Sequence, residues 1–124
     1  MEKIRVNTGR KYDIFIERNI LSSCGQIVRN VSKATTAAIV TDSNVAPLYL
    51  QKVKESLEKE GFRTVSFVFP AGETNKTIAT VTDILNFFAE NSMTRSDIAV
   101  ALGGGVTGDL TGFAAAIYMR GIEF

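Results

Sequence analysis

IAVALGGGVTGDL, residues 98–110, decides how this chain is expected to fold. The short apolar run 98–102 predicts a strand, and the glycines that follow predict a tight turn over 103–108. Small and apolar residues then predict a helix over 109–118. A strand that passes through a glycine-rich turn into a helix is typical of nucleotide-binding α/β domains.

Gly103, Gly105 and Gly108 match the pattern G-x-G-x-x-G. Because glycine has no side chain, a pyrophosphate can approach the backbone closely at these positions. Free N–H groups at the start of the following helix then face the anion. The alternative is a tight turn that needs glycine for backbone reasons alone. Asp109 follows where a P-loop has Lys and Ser/Thr, which favours a dinucleotide over ATP because a carboxylate repels a triphosphate but accepts from a ribose hydroxyl. Asp109 could instead only stabilise the helix start.

Strands and helices alternate along the rest of the chain. The patterns predict a hairpin (3–7 and 12–17), a short helix (22–31), strands at 36–41, 63–69 and 98–102, and helices at 47–60, 77–91 and 109–118. This order predicts one α/β domain over residues 1–124, with a Rossmann-like parallel sheet, helices on both faces and an N-terminal β-hairpin.

Polar residues follow the two other predicted parallel strands. Asp42 ends the first and could contact a ribose or adenine, or it could cap the next helix or form an Asx turn. Glu73 and Lys76 lie in the loop after the second, which could also be a solvated loop. Because the carboxyl ends of parallel strands meet at one edge of a sheet, these residues and the glycine turn are expected to form one site.

Composition excludes several function classes. Fourteen basic and thirteen acidic residues give a net charge of +1, which attracts neither nucleic acid nor an anionic membrane. There is no apolar run long enough to cross a membrane and no secretory signal, so the expected compartment is the cytoplasm. With no His and a single cysteine, Cys24, the chain lacks the residues for a zinc site of the usual N/S type or for a His-activated nucleophile. Cys24 is expected to be a buried or half-buried thiol.

Three segments carry a family resemblance: GGGVTGDLTGFAAAIYMRGIEF (103–124), TDSNVAPLY (41–49) and PAGETNKT (70–77). In this order and spacing they resemble 3-dehydroquinate synthases. Iron-dependent alcohol dehydrogenases and glycerol dehydrogenases share the glycine turn but usually lack its continuation. The resemblance is to the NAD-binding N-terminal domain, and the chain, which ends as another strand begins at 122–124, is expected to be a fragment.

The resemblance implies a lyase of the shikimate pathway, which leads to chorismate and the aromatic amino acids. The substrate 3-deoxy-D-arabino-heptulosonate 7-phosphate becomes 3-dehydroquinate and phosphate by transient NAD-dependent oxidation, β-elimination, re-reduction and aldol closure. The resemblance also implies a homodimer and a divalent metal, zinc or cobalt. The metal ligands, one Glu and two His, and the substrate lysines would belong to an absent C-terminal domain, so the fragment would bind NAD at best.

By the same resemblance, fourteen residues are expected to contact NAD: Asp42, Asn44, Ala71, Gly72, Glu73, Thr74, Asn75, Lys76, Gly104, Gly105, Val106, Thr107, Gly108 and Asp109. Ala71 stands where the family often has Asp, which leaves only a backbone role there. Arg120 is expected to bind the phosphate of the neighbouring subunit's substrate, or else it is a solvated charge at a helix end.

Two alternatives stay open. Another sugar-phosphate cyclase could use the same NAD domain, because substrate choice would lie in the absent domain. The chain could also be a stand-alone nucleotide-binding or regulatory module. Four apolar residues near the end of the sequence are expected to be exposed and to favour self-association: Phe113, Ile117, Ile122 and Phe124.

Overall fold

The structure, a computed structural model, describes all 124 residues and confirms the predicted order of elements. Short helical turns at Ile20–Ser23, Ala46–Leu50, Glu73–Asn75 and Tyr118–Arg120 join or extend the main elements. These main elements are β1 (Glu2–Val6), β2 (Tyr12–Ile16), α1 (Cys24–Val31), β3 (Thr36–Asp42), α2 (Gln51–Lys59), β4 (Arg63–Phe69), α3 (Ile78–Glu90), β5 (Ile98–Leu102) and α4 (Gly105–Ile117).

The sheet has three parallel strands in the order β4-β3-β5, so β3 is its central strand. Thr36 pairs with Arg63 of β4, and Ala37 pairs with Ile98 of β5. The hairpin β1–β2 is a separate antiparallel pair with Ile4 opposite Ile14. None of the helices combines the length and the apolar character that crossing a bilayer requires.

Helices cover both faces of the sheet, as predicted. Ala38 and Val40 of β3 pack with side chains of α3 and α4, including Ile84 and Ala114. The alternate residues of β3 pack with α1 and α2 on the other face. A strand that is buried on both faces reads as a continuous apolar run, which is why TAAIV lacks polar alternation.

The crossovers leave β3 and β5 toward opposite faces of the sheet. The helix that follows β3 packs on one face, and the helix that follows β5 packs on the other. The strand order therefore reverses between β3 and β5, and open α/β sheets bind ligands at the carboxyl ends of the strands at such a point.

Two details of the sequence prediction were wrong. Helix α4 begins at Gly105, not at residue 109, because the Gly108 N–H already donates to the Gly104 carbonyl (3.0 Å). Gly108 therefore belongs to the first turn of the helix and not to the strand-to-helix turn. Ile122, which was expected to be exposed, is only 9% exposed and packs in the core. The next residue, Glu123, pairs in parallel with Ile98.

Candidate functional site

The structure brings together the segments that follow the three parallel strands. The Ser43 N–H, just after β3, donates to the Phe69 carbonyl at the end of β4 (2.9 Å), and the Ala71 N–H donates to Ser43 Oγ (2.9 Å). Lys76 then reaches Asp109 beyond β5. These contacts confirm that the three strand ends share one edge of the sheet. Ser43, which links the ends of β3 and β4, was not predicted to belong to the site. The only signal in the sequence was its position next to Asp42.

The amino end of α4 is an open cradle of backbone amides. Gly104 is the N-cap and supplies no side-chain cap, and the backbone N–H groups of Gly105, Val106 and Thr107 have no hydrogen-bond acceptor in the chain. A Cβ atom built on Gly104 or on Gly105 would meet no atom within 4 Å. Free N–H groups at the positive end of a helix, with open space in front of them, suit an anion such as a pyrophosphate.

Gly103 differs from the two glycines that follow it. Its φ angle is +155°, and a Cβ atom there would lie 2.6 Å from Thr107 Oγ1. Gly103 is thus required by the fold of the turn itself. Thr107 is 1% exposed, and its hydroxyl has no partner, so only its backbone amide faces the open cradle.

An ion pair crosses the site. Lys76 Nζ lies 2.7 Å from Asp109 Oδ2, and it joins the segment after β4 to the helix after β5. The bond to Asp109 raises the pKa of Lys76, with a smaller contribution from the charge of Glu73. These three residues are predicted from the sequence to share one cleft, and the structure brings the two that form the ion pair into contact.

The loop after β4 is held in place mostly by its own hydrogen bonds. Gly72 has φ +120°, and its carbonyl accepts from the Asn75 N–H (3.1 Å). The Asn75 side chain donates to the Ala71 carbonyl (3.5 Å), and Thr77 caps α3 by accepting from the Thr80 N–H (3.2 Å). These bonds fix the loop that carries Lys76.

Asp42 has a structural role in this chain. Its Oδ1 accepts from the N–H groups of Asn44 (2.9 Å) and Val45 (2.8 Å). This is the Asx turn that was one of the two predictions for Asp42. These bonds use one carboxylate oxygen only. Asn44 beside it is exposed, so its side chain is accessible to a ligand.

A groove of about 240 Å³ borders the ion pair between α3 and α4. Its floor and walls are mainly apolar, and its polar rim contains the ion pair itself. The groove is lined by Lys76, Thr77, Ile78, Val81, Asp109, Leu110 and Phe113. A ligand bound along the amino end of α4 would have this groove beside it.

Arg120 is not brought to this site. It is exposed, lies beyond the opposite end of α4, and is about 20 Å from the glycine turn by the length of that helix. Met119 and Arg120 both have positive φ angles, +48° and +67°, and the Arg120 guanidinium forms no hydrogen bond or ion pair within the chain. No group of three or more His, Cys, Asp or Glu side chains is placed to hold a metal ion.

Comparisons with known proteins confirm the resemblance. A family model described as 3-dehydroquinate synthase N-terminal matches residues 66–124. The 3-dehydroquinate synthase of Streptococcus thermophilus is 50% identical over 123 residues, which are 98% of this chain and 35% of that protein. The chain thus spans about a third of the length of the curated relatives that it matches.

Solved structures give the same fold. A 2-deoxy-scyllo-inosose synthase in complex with carbaglucose-6-phosphate, NAD⁺ and Co²⁺ matches 98% of this chain with 33% of its own, at a TM-score of 0.86 and 26% identity. A 2-epi-5-epi-valiolone synthase from Streptomyces hygroscopicus with NAD⁺ and Zn²⁺ matches 96% of this chain with 32% of its own, at a TM-score of 0.75 and 23% identity.

Proposed function

We propose that this chain is the NAD-binding N-terminal domain of a 3-dehydroquinate synthase. The observation that carries the proposal is the open cradle formed by the backbone amides of residues 105–107, at the point where the strand order reverses. The 50% identity to a 3-dehydroquinate synthase supports this activity over that of the inosose synthase, which is 26% identical.

In this proposal the chain's residues hold the dinucleotide in three places. The amides of residues 105–107 take the pyrophosphate. The free oxygens of Asp109 and Asp42 accept from ribose hydroxyls, and Asn44 and Glu73 border the same edge of the sheet. When bound, NAD⁺ supplies the hydride acceptor for the transient oxidation of the substrate. Thr107 takes part through its amide only, because its side chain is buried.

The activity proposed for the longer protein is the conversion of 3-deoxy-D-arabino-heptulosonate 7-phosphate to 3-dehydroquinate and phosphate. We further propose that it works as a homodimer in the cytoplasm and that a divalent metal is bound by residues outside these 124. The 124 residues alone are expected to bind the dinucleotide without turnover.

Titration calorimetry with NAD⁺ and ATP tests the nucleotide assignment. We expect weak binding of NAD⁺, since an open groove buries only part of a ligand. Binding of ATP should be weaker still, because ATP has one ribose and NAD⁺ has two for the free oxygens of Asp42 and Asp109 to bind. Equal or tighter binding of ATP would contradict the dinucleotide site. AMP serves as a control for binding through the adenosine half alone.

We also propose that Arg120 binds the phosphate of the substrate held by the neighbouring subunit. Its free guanidinium, exposed at the end of α4 away from the glycine turn, suits a partner outside this chain. In the longer protein, Arg120→Ala should lose turnover and keep NAD⁺ affinity. Mixing it with a variant that lacks the metal ligands should restore activity through mixed dimers. Activity that stays at the parental level after proven subunit exchange would refute action between subunits.

A further inference from the structure

Lys76 is the only cation that the structure places in contact with a carboxylate at the amino end of α4. Its partner Asp109 is the fifth residue of the helix, about one turn from the free amides of residues 105–107. Glu73 acts electrostatically on the same ammonium group. The anion site of the proposed function therefore has a carboxylate beside it and a lysine that holds this carboxylate.

We propose that Lys76 serves the dinucleotide site by neutralising Asp109, so that the amides at the start of α4 can accept a pyrophosphate. It would thus be a positioning residue and would not grip the pyrophosphate itself. This inference rests on the proposed function and adds to it the role of one residue.

The charge near the cradle favours neutralisation of Asp109 over direct contact of Lys76 with the pyrophosphate. A carboxylate one helical turn from the amides lies well within the Debye length of about 8 Å at physiological ionic strength, so an unpaired Asp109 would oppose an incoming anion. With Lys76 at 2.7 Å the two charges cancel, and the partial positive charge of the helix end remains for the ligand.

Direct contact between Lys76 and the pyrophosphate would undo this arrangement. The ammonium would have to leave Asp109, and the carboxylate would be without its counter-ion at the moment when the anion arrives. With the ion pair kept, Asp109 Oδ2 remains with Lys76, while Oδ1 stays available to a ribose hydroxyl. One ion pair can therefore both neutralise the site and orient the carboxylate.

Inorganic pyrophosphate is the probe that separates the two roles, since it has no ribose for Asp109 to bind. Three variants are compared with the wild type by calorimetry and by shifts of the amide resonances of residues 105–107: Lys76→Met, Asp109→Asn and the double variant. We expect Lys76→Met to weaken pyrophosphate binding about fivefold, the scale of one interaction between solvent-exposed charges. The double variant should bind like the wild type, because both charges are then absent.

Two further variants make the result specific. Lys76→Arg should retain wild-type affinity, since a guanidinium also neutralises Asp109. Lys52→Met removes the same charge from an exposed position on α2 and should change the affinity far less than Lys76→Met. Circular dichroism verifies that each variant is folded, which we expect because both members of the ion pair are at the surface.

The outcomes separate the inference from the function on which it rests. A double variant as weak as Lys76→Met would show that Lys76 contacts the anion itself and would overturn the inference. So would an equal loss in Lys52→Met, or a wild type that does not bind pyrophosphate. NAD⁺ binding by the wild type is a separate measurement, and its absence would refute the proposed function.

Discussion

Thr107 and Thr111 lie one turn apart on α4, and both side chains are buried, but only one hydroxyl has a partner. Thr111 Oγ1 donates to the Thr107 carbonyl at 2.7 Å, whereas Thr107 Oγ1 has no hydrogen bond. Thr107 is 1% exposed and Thr111 is 0% exposed, so the two sites are matched in burial. Replacing each threonine by valine removes a satisfied hydroxyl in one case and an unsatisfied one in the other.

The two substitutions should change the free energy of unfolding in opposite directions. A buried polar group without a partner costs about 1–3 kcal/mol, so Thr107→Val is expected to stabilise the fold by about 1 kcal/mol. Thr111→Val loses a hydrogen bond with a net worth of about 1 kcal/mol and should destabilise by that amount. Threonine and valine are both β-branched and have similar helix propensities, so the difference between the variants reports the hydroxyls.

Urea unfolding followed by circular dichroism measures this difference. With slopes of about 1–3 kcal/mol/M for small proteins, a gap of about 2 kcal/mol separates the two midpoints by about 1 M. Thr107→Val should also leave NAD⁺ affinity unchanged, since only the Thr107 amide faces the cradle. A loss of stability in Thr107→Val as large as that in Thr111→Val would refute the reasoning, because the Thr107 hydroxyl would then have a partner.

Three further outcomes are expected. Gly105→Val should abolish NAD⁺ binding, because the valine side chain would fill the open space in front of the amides, and it should leave the circular dichroism spectrum unchanged. Normal NAD⁺ binding by this variant would show that Gly105 is only a turn residue. Phe113→Ser should reduce self-association in sedimentation velocity, because the Phe113 ring is 51% exposed, and a wild type that is monomeric at millimolar concentration would contradict this. Burial raises the pKa of the Cys24 thiol, so stability should fall as the pH rises past the pKa of the unfolded thiol, about 8.5. A thiol reagent should then label Cys24 more slowly in the folded chain than in urea, and equal rates would be the contrary result.

The alternation of strands and helices could be predicted from the sequence, because the spacing of the apolar residues and the positions of the turn residues indicate the same segments. The runs 63–69 and 98–102 became β4 and β5 with the same bounds. The start of α4 could not be read in the same way. Glycine is a poor helix former, so a triplet of glycines predicts a turn by propensity, yet the third one begins the helix because the packing of α4 on the sheet overrides that preference.

The location of the site could be predicted from the topology, but the contacts within it could not. Parallel strands place their carboxyl ends at one edge whatever their order, so Asp42, Lys76 and Asp109 could be assigned to one region from sequence alone. Which of them touch depends on the strand order β4-β3-β5, which the sequence pattern does not encode. The two flanking strands lie on either side of β3, so the segments that follow them can meet only across its end. Asp42 at that end forms hydrogen bonds with its own loop, and the ion pair forms between the two outer segments. The roles of these three carboxylate and ammonium groups therefore follow from the order of the strands, which explains why residue type alone left each of them with two interpretations.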